Sequence, residues 1–165
     1  MNNDIKPQSE PLVTIIIATY NEFLNIQKTL DSIKNQKYKN TELIVIDANS
    51  DDGTVGILNK NSSEIKYFLS EDDLGIYDAW NKALNVSSGD WIMFLGAGDC
   101  LKPNALSIYI ESINHNNFTN FISSKGIVID SKGSSLGEFG KSFDKKDFLK
   151  YMTICHPSSL HHKSL

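Results

Sequence analysis

Residues 91–102, WIMFLGAGDCLK, begin as an unbroken apolar run and end in an acid set among small residues. Trp91 to Leu95 has the length and composition of a strand buried on both faces. Gly96, Ala97 and Gly98 then leave little side chain around Asp99, so a ligand can come close to the backbone there. In an open parallel sheet, ligands bind beyond the carboxyl ends of strands, and an acid at that point can hold a metal ion or a polar substrate. The plain alternative is that Asp99 only ends a strand and starts a turn towards Pro103. The surrounding sequence has to separate the two.

Upstream, strand and helix signals alternate. Leu12 to Thr19, LVTIIIAT, is a β-branched run suited to a central parallel strand. Tyr20, Asn21 and Glu22 then turn into a helix that Asn21 can cap, with Leu24, Ile26, Leu30 and Ile33 at near-helical spacing. Glu42 to Asp47, ELIVID, predicts a second buried strand, and ANSDDGT leads to a short helix from about Val55 to Lys60. A third strand is expected over Ile65 to Leu69, followed by the loop SEDDLG. Ile76, Ala79, Trp80, Ala83 and Leu84 mark the next helix face, which returns to the Trp91 run. Such alternation, with right-handed crossovers, predicts an α/β fold: a Rossmann-like, mostly parallel sheet with helices on both faces.

Downstream the rhythm loosens. Pro103 suits the first turn of a helix reaching about Asn114, with Leu106, Ile110 and Ile113 inward. Phe121 to Ser124 reads as a strand, and Gly126 to Phe139 as a C-terminal β-hairpin turning at Lys132-Gly133-Ser134. A short helix is expected over Lys145 to Met152. The last stretch, TICHPSSLHHKSL, holds His156, His161 and His162 without an acidic partner, and no later element is evident to cover Ile154 and Leu160. Residues 1–10 carry no periodicity and read as a flexible lead-in to one domain over residues 11–165.

Composition narrows the function. The 165 residues are 40% hydrophobic and 22% charged, as expected of one globular domain, and the net charge of -4 gives no reason to expect a nucleic-acid partner. Cys100 and Cys155 are far apart and outside any CxxC spacing, which fits a cytoplasmic setting better than a disulfide or zinc framework. No apolar run approaches the ~18 residues of a spanning helix, so any contact with a membrane is expected to be peripheral. Three loops should share one edge of the sheet: Thr19 to Asn21, Asp47 to Asp52, and Gly96 to Asp99. They offer acids and small polar groups rather than a nucleophile. Asp47 can accept from a base imide or a ribose hydroxyl, and Asp99 can bind a divalent cation bridging phosphate oxygens. No glycine-rich phosphate loop follows the first strand, which counts against dinucleotide oxidoreductases and phosphate-loop hydrolases. Trp80 and Trp91 read as core, Cys155 as a buried thiol, and the histidines as a zinc cluster only superficially.

With these residues on view, VTIIIATYNE, LIVIDANSDDGT and SEDDLGIYDAWNKALNVSSGDWIMFLGAGD resemble, in order, the motifs of the inverting glycosyltransferases of family 2, the group with the GT-A fold. The resemblance covers about residues 12–102 and is nearest to members that build bacterial surface polysaccharides of the colanic acid or O-antigen kind. It implies transfer of a sugar from a nucleotide diphosphate sugar, expected to be a UDP-sugar, to a saccharide or lipid-linked saccharide acceptor. It further implies donor contacts at Thr19, Tyr20, Asn21, Asp47, Ser50 and Asp78, and Mg²⁺ or Mn²⁺ at Asp99. Many relatives carry Asp-Ala-Asp-Asp where this chain has Gly96, Ala97, Gly98 and Asp99, leaving a single carboxylate. In the family the general base lies in chain beyond a segment like ICHPSSLHHKSL, so these 165 residues are expected to hold the donor half of the enzyme. The alternatives are a nucleotide-sugar-binding domain without turnover and a metal-dependent nucleotidyltransferase.

Overall fold

The computed structural model describes residues 10–115, 119–142, 144–150 and 152–165. The expected lead-in falls almost wholly outside them. A six-stranded sheet runs in the order β3-β2-β1-β4-β8-β5, built from β1 (Val13–Thr19), β2 (Thr41–Asp47), β3 (Tyr67–Ser70), β4 (Trp91–Gly96), β5 (Phe121–Ser123) and β8 (Ser159–His162). The pairings β1 with β2, β2 with β3, and β1 with β4 are parallel, while β8 is antiparallel to both β4 and β5. The helices are α1 (Ile26–Lys34), α2 (Thr54–Lys60), α3 (Ile76–Val86), α4 (Ala105–His115) and the four-residue α5 (Lys145–Phe148).

Alternation along the strands splits the core into two layers. Val13, Ile15 and Ile17 of β1 pack with Val45, Met93 and Leu95 under Ile26 and Leu30 of α1, Leu58 of α2 and Leu106 and Ile110 of α4. Ile16 joins Ile44, Ile46 and Ile92 on the other face, against Ala79 and Ala83 of α3. Strands buried from both sides need apolar residues at consecutive positions, which is why LVTIIIAT, ELIVID and WIMFL contain few interruptions. A separate two-stranded ribbon, β6 (Gly126–Ile129) and β7 (Ser135–Phe139), forms the expected hairpin, with Asp130 accepting from the backbone N–H of Lys132 and Ser134 in its turn.

Several expected boundaries move. Asn21 does not cap α1: its φ is 53°, the helix starts at Ile26, and Leu24 is 80% exposed instead of joining the core face. The reason is tertiary, because this turn is tied to the loop after β2. In α3, Ile76 and Leu84 are exposed; the small Ala79 and Ala83 let the helix sit close to the sheet, so only a narrow stripe is buried. β3 starts at Tyr67 rather than Ile65, and α4 at Ala105 rather than Pro103, since Asn104 adopts a positive φ of 64°. The helix expected over Lys145 to Met152 is a single turn ending at Phe148, and Tyr151 lies outside the described residues.

The largest correction is at the tail. A short 3-10 turn, His156–Ser158, leads into β8, which inserts between β4 and β5 and buries Leu160 and Ser159 completely. Ile154 is half-buried. The apolar tail expected to lack cover is therefore part of the sheet. Four residues, SLHH, carry too short a pattern to announce a strand whose partners lie about 40 and 70 positions earlier in the chain.

Candidate active site

β1 lies between β2 and β4, so the loops leaving the carboxyl ends of these three parallel strands share one edge. Thr19 pairs with Asp47 across the last rung of β1 and β2, and Gly96 pairs with Ala18 on the other side. Asp47 and Asp99 thus sit on the same edge, one strand to either side of β1.

The first two loops hold each other. Asp47 is fully buried; its carboxylate accepts from the Ser50 N–H at 2.9 Å, the Ser50 hydroxyl at 2.5 Å and the Ser70 hydroxyl at 2.7 Å. These take three of the roughly four acceptor positions of a carboxylate. Ser50 Oγ in turn accepts from the N–H of Asn21 at 2.8 Å, and the Asn21 side-chain oxygen accepts from the N–H of Asp51 at 3.1 Å. Glu22 N–H donates to Thr54 Oγ1 and Phe23 N–H to Asp52, both at 2.9 Å. The Asp52 carboxyl is held below its ordinary value by hydrogen bonding from Thr54, and by the Phe23 and Thr54 amides against some desolvation. Asn21 takes its left-handed conformation within this lock, and Asn is among the residues that tolerate it.

The third loop is fastened by α1. Thr29 accepts from the N–H of Gly98 at 2.9 Å, and Ser32 Oγ accepts from the N–H of Leu101 at 3.0 Å. Asp99 remains exposed as a residue, but its carboxyl folds back over Gly96, where an added Cβ would come within 2.7 Å of Oδ2. Burial raises the Asp99 pKa, and the charge of Glu22 raises it further. Glu22 is oriented by the Asn25 side-chain amide at 3.0 Å.

Among the remaining expected residues, Thr19 is buried and its hydroxyl has no hydrogen-bond partner among the described residues, while Tyr20 is 62% exposed at the same edge. Asp78 lies in the first turn of α3, just after the loop that leaves β3. It accepts from the Leu74 N–H at 3.2 Å and pairs with Lys82 at 3.0 Å, which also pairs with Glu71. Hydrogen bonding from Lys82 holds the Asp78 carboxyl low, and Asp78 serves to fix the loop after β3. That loop is also attached to Asp47, whose carbonyl accepts from the Glu71 N–H at 3.0 Å.

The sequence pattern did not mark Glu22, Thr29, Thr54 or Ser70 as site residues, and it placed Asp52 only as the end of the second loop. Only Glu22 had a signal, as an acid one residue past Asn21 in a strand-end loop; the others act through partners about 20 to 70 residues away. Two of the three tail histidines gather on aromatic side chains, and the third packs apart from them. His156 stacks on Trp80 at 5.2 Å and on Phe94 at 5.6 Å, and His161 lies 5.6 Å from His156, while His162 packs against Trp91. Burial lowers both the His156 and the His161 pKa, the latter with a contribution from His156. Cys155 is a buried thiol bonded to Ser158 Oγ at 3.1 Å.

The family profile described as glycosyl transferase family 2 matches residues 14–154, most of the chain and all three strand-end loops. The chain belongs to glycosyl transferase family 2. A Campylobacter jejuni protein named GalNAc(5)-diNAcBac-PP-undecaprenol beta-1,3-glucosyltransferase is 33% identical over 150 residues, 84% of this chain and 48% of its own length. A Mycobacterium bovis PGL/p-HBAD biosynthesis glycosyltransferase is 30% identical over 159 residues, 94% of this chain and 60% of its own. The chain therefore spans about half the length of these relatives. The same fold appears in Staphylococcus aureus TarS, solved with UDP-GlcNAc, at a TM-score of 0.72 and 17% identity over 91% of this chain and 45% of that one. A Pyrobaculum calidifontis mannosyltransferase solved with GDP-Man and Mn²⁺ gives a TM-score of 0.62 and 25% identity over 76% of this chain and 38% of that one.

Among the described residues no group of three or more His, Cys, Asp or Glu stands ready to hold a metal ion. Mg²⁺ and Mn²⁺ do not need one, because a carboxylate oxygen or two with substrate phosphates and water suffices. A partly desolvated Asp99 raised by a neighbouring Glu22 charge fits such an ion, since both effects are relieved when a cation arrives.

Proposed function

We propose that residues 11–165 form the donor-binding part of a glycosyltransferase that moves a sugar from a nucleotide diphosphate sugar, a UDP-sugar in the first instance, to a saccharide or lipid-linked acceptor. The observation that carries this reading is the placement of Asp47 and Asp99 on one sheet edge, on strands flanking β1, with Thr19, Tyr20 and Asn21 between them. The exposed ring of Tyr20 offers a face to the base, and the unpartnered Thr19 hydroxyl and the Ser50–Asn21 loop offer hydrogen bonds to base and ribose. Asp47 contributes mainly by holding Ser50 and the loop after β3 in place. Mg²⁺ or Mn²⁺, held through Asp99 with Glu22 beside it, would supply positive charge to the diphosphate.

Transfer with inversion requires the acceptor oxygen to attack the anomeric carbon as the nucleoside diphosphate departs from the opposite face, with the acceptor proton passing to a base. The names of the relatives support a bacterial glycan or glycolipid setting, and one names a PP-undecaprenol-linked acceptor. Titration calorimetry with UDP and Mn²⁺ tests the donor side. We expect binding that needs the metal and falls at least tenfold in Asp99→Ala; metal-independent binding, or an unaffected Asp99→Ala, defeats the reading. Release of UDP from a UDP-sugar with acceptor, against release of pyrophosphate from a nucleoside triphosphate with a sugar phosphate, separates transfer from nucleotidyl chemistry, and binding without either product marks a non-catalytic domain.

A further inference from the structure

The β6–β7 ribbon stands outside the six-stranded sheet, and every residue of β7 is exposed. An isolated two-stranded ribbon is marginal in water, yet this one carries large apolar side chains outward: Ile129 is 58% and Leu136 67% exposed. The chain then leaves the base of the ribbon, forms α5 and returns, with the Lys141 N–H donating to the Thr153 carbonyl at 2.9 Å. On this excursion Leu149 is 77% exposed. Apolar side chains therefore project into solvent from two excursions that meet at the Lys141–Thr153 base.

The charge in this part has the opposite sign to the rest. Residues 125–152 hold six lysines and four acids, a net +2 in a chain of net -4, which leaves -6 elsewhere. Three of those acids are engaged locally: Asp130 in the ribbon turn, Asp144 as the cap of α5, and Glu138 with Lys125. Lysines interleaved with exposed aliphatic side chains match a bilayer surface, where the aliphatic groups enter the headgroup boundary and the ammonium groups meet lipid phosphates. A nucleic acid would use the lysines but leave the leucines and isoleucine in water.

We propose that the ribbon and the α5 excursion form a docking surface for an anionic phospholipid bilayer, which would hold the donor site beside lipid-borne acceptors. The proposal goes beyond donor binding and is tested separately from it. In cosedimentation with vesicles, the chain is expected to bind phosphatidylcholine–phosphatidylglycerol mixtures, to bind pure phosphatidylcholine much less, and to detach as salt rises. Leu136→Asp with Leu149→Asp should cut vesicle binding at least tenfold, and replacing Lys145, Lys146 and Lys150 by Gln should weaken it by roughly fivefold per lysine. Circular dichroism and UDP titration on the same variants report that the fold and donor site are intact. No binding of the folded chain to anionic vesicles overturns the proposal, as does binding indifferent to both sets of changes. Self-association broken by Leu136→Asp, without vesicle binding, would assign the surface to a second copy instead.

Discussion

Gly96 shows how much of the site depends on an absent side chain. Its Cα lies under the Asp99 carboxyl, and a methyl group there would meet Oδ2 at 2.7 Å. The obstacle is the free end of a side chain rather than backbone, so the cost to the fold is small while the carboxylate is pushed aside. Gly96→Ala is thus expected to unfold within about 1 kcal/mol of the parent in urea, yet to lose most metal-dependent UDP binding by calorimetry. Gly56 in α2 is the control, with nothing within 4 Å of an added Cβ. Gly56→Ala should gain up to about 1 kcal/mol through helix propensity and leave binding unchanged. If Gly96→Ala binds UDP and Mn²⁺ like the parent, Asp99 is not where the metal acts.

At the scale of elements, β8 joins the parallel half of the sheet to β5 and brings His156 and His161 onto Trp80 and Phe94. Leu160 is its anchor, completely buried in the larger core layer. Leu160→Ala should cost about 2–5 kcal/mol in denaturant unfolding, whereas a loosely attached tail would show almost no change. The two histidines make stability depend on pH. Their folded pKa values are lowered from 6.5 by burial, so the unfolded chain binds more protons between the folded and unfolded values. Stability is then full above about pH 6.5 and falls with pH down to the folded values. Carboxylates held low, such as Glu42 in its buried contacts with Lys66, Thr14 and Ser88, lose their contribution only at lower pH, below the ordinary value of 4.5. Melting temperature measured between pH 7 and 5 should decline in the parent and stay nearly flat in a His156→Phe, His161→Phe double variant. A parent curve that is flat over the same interval contradicts the depressed values.

For the whole molecule, ligand binding at the sheet edge is linked to global stability because the three loops spring from the central strands of a single core. A ligand at about a hundred times its Kd stabilises by about 2.7 kcal/mol, and for a chain of this size each kcal/mol moves Tm by roughly 2–4 °C. UDP with Mn²⁺ at such concentrations should therefore raise Tm by roughly 5–11 °C, and chelation should abolish the rise. An equal rise with Mn²⁺ absent would show that the nucleotide is held without the cation.

The sequence by itself determined the sheet's parallel half, the two helix layers and the three loops that meet at one edge. LVTIIIAT, ELIVID and WIMFL are local patterns, and a parallel sheet with right-handed crossovers admits few arrangements of them. Asp47 and Asp99 were legible for the same reason, as acids at strand ends. Tertiary structure alone decided that Asn21 leaves the helix to bond Ser50, that Asp47 is enclosed by Ser50 and Ser70, and that Glu22 stands close enough to raise Asp99. It also placed Ser159–His162 between β4 and β5. Each of these rests on partners distant in sequence, whose pairing is fixed by burial and hydrogen-bond satisfaction in the assembled core and leaves no periodic mark on the short segments that take part.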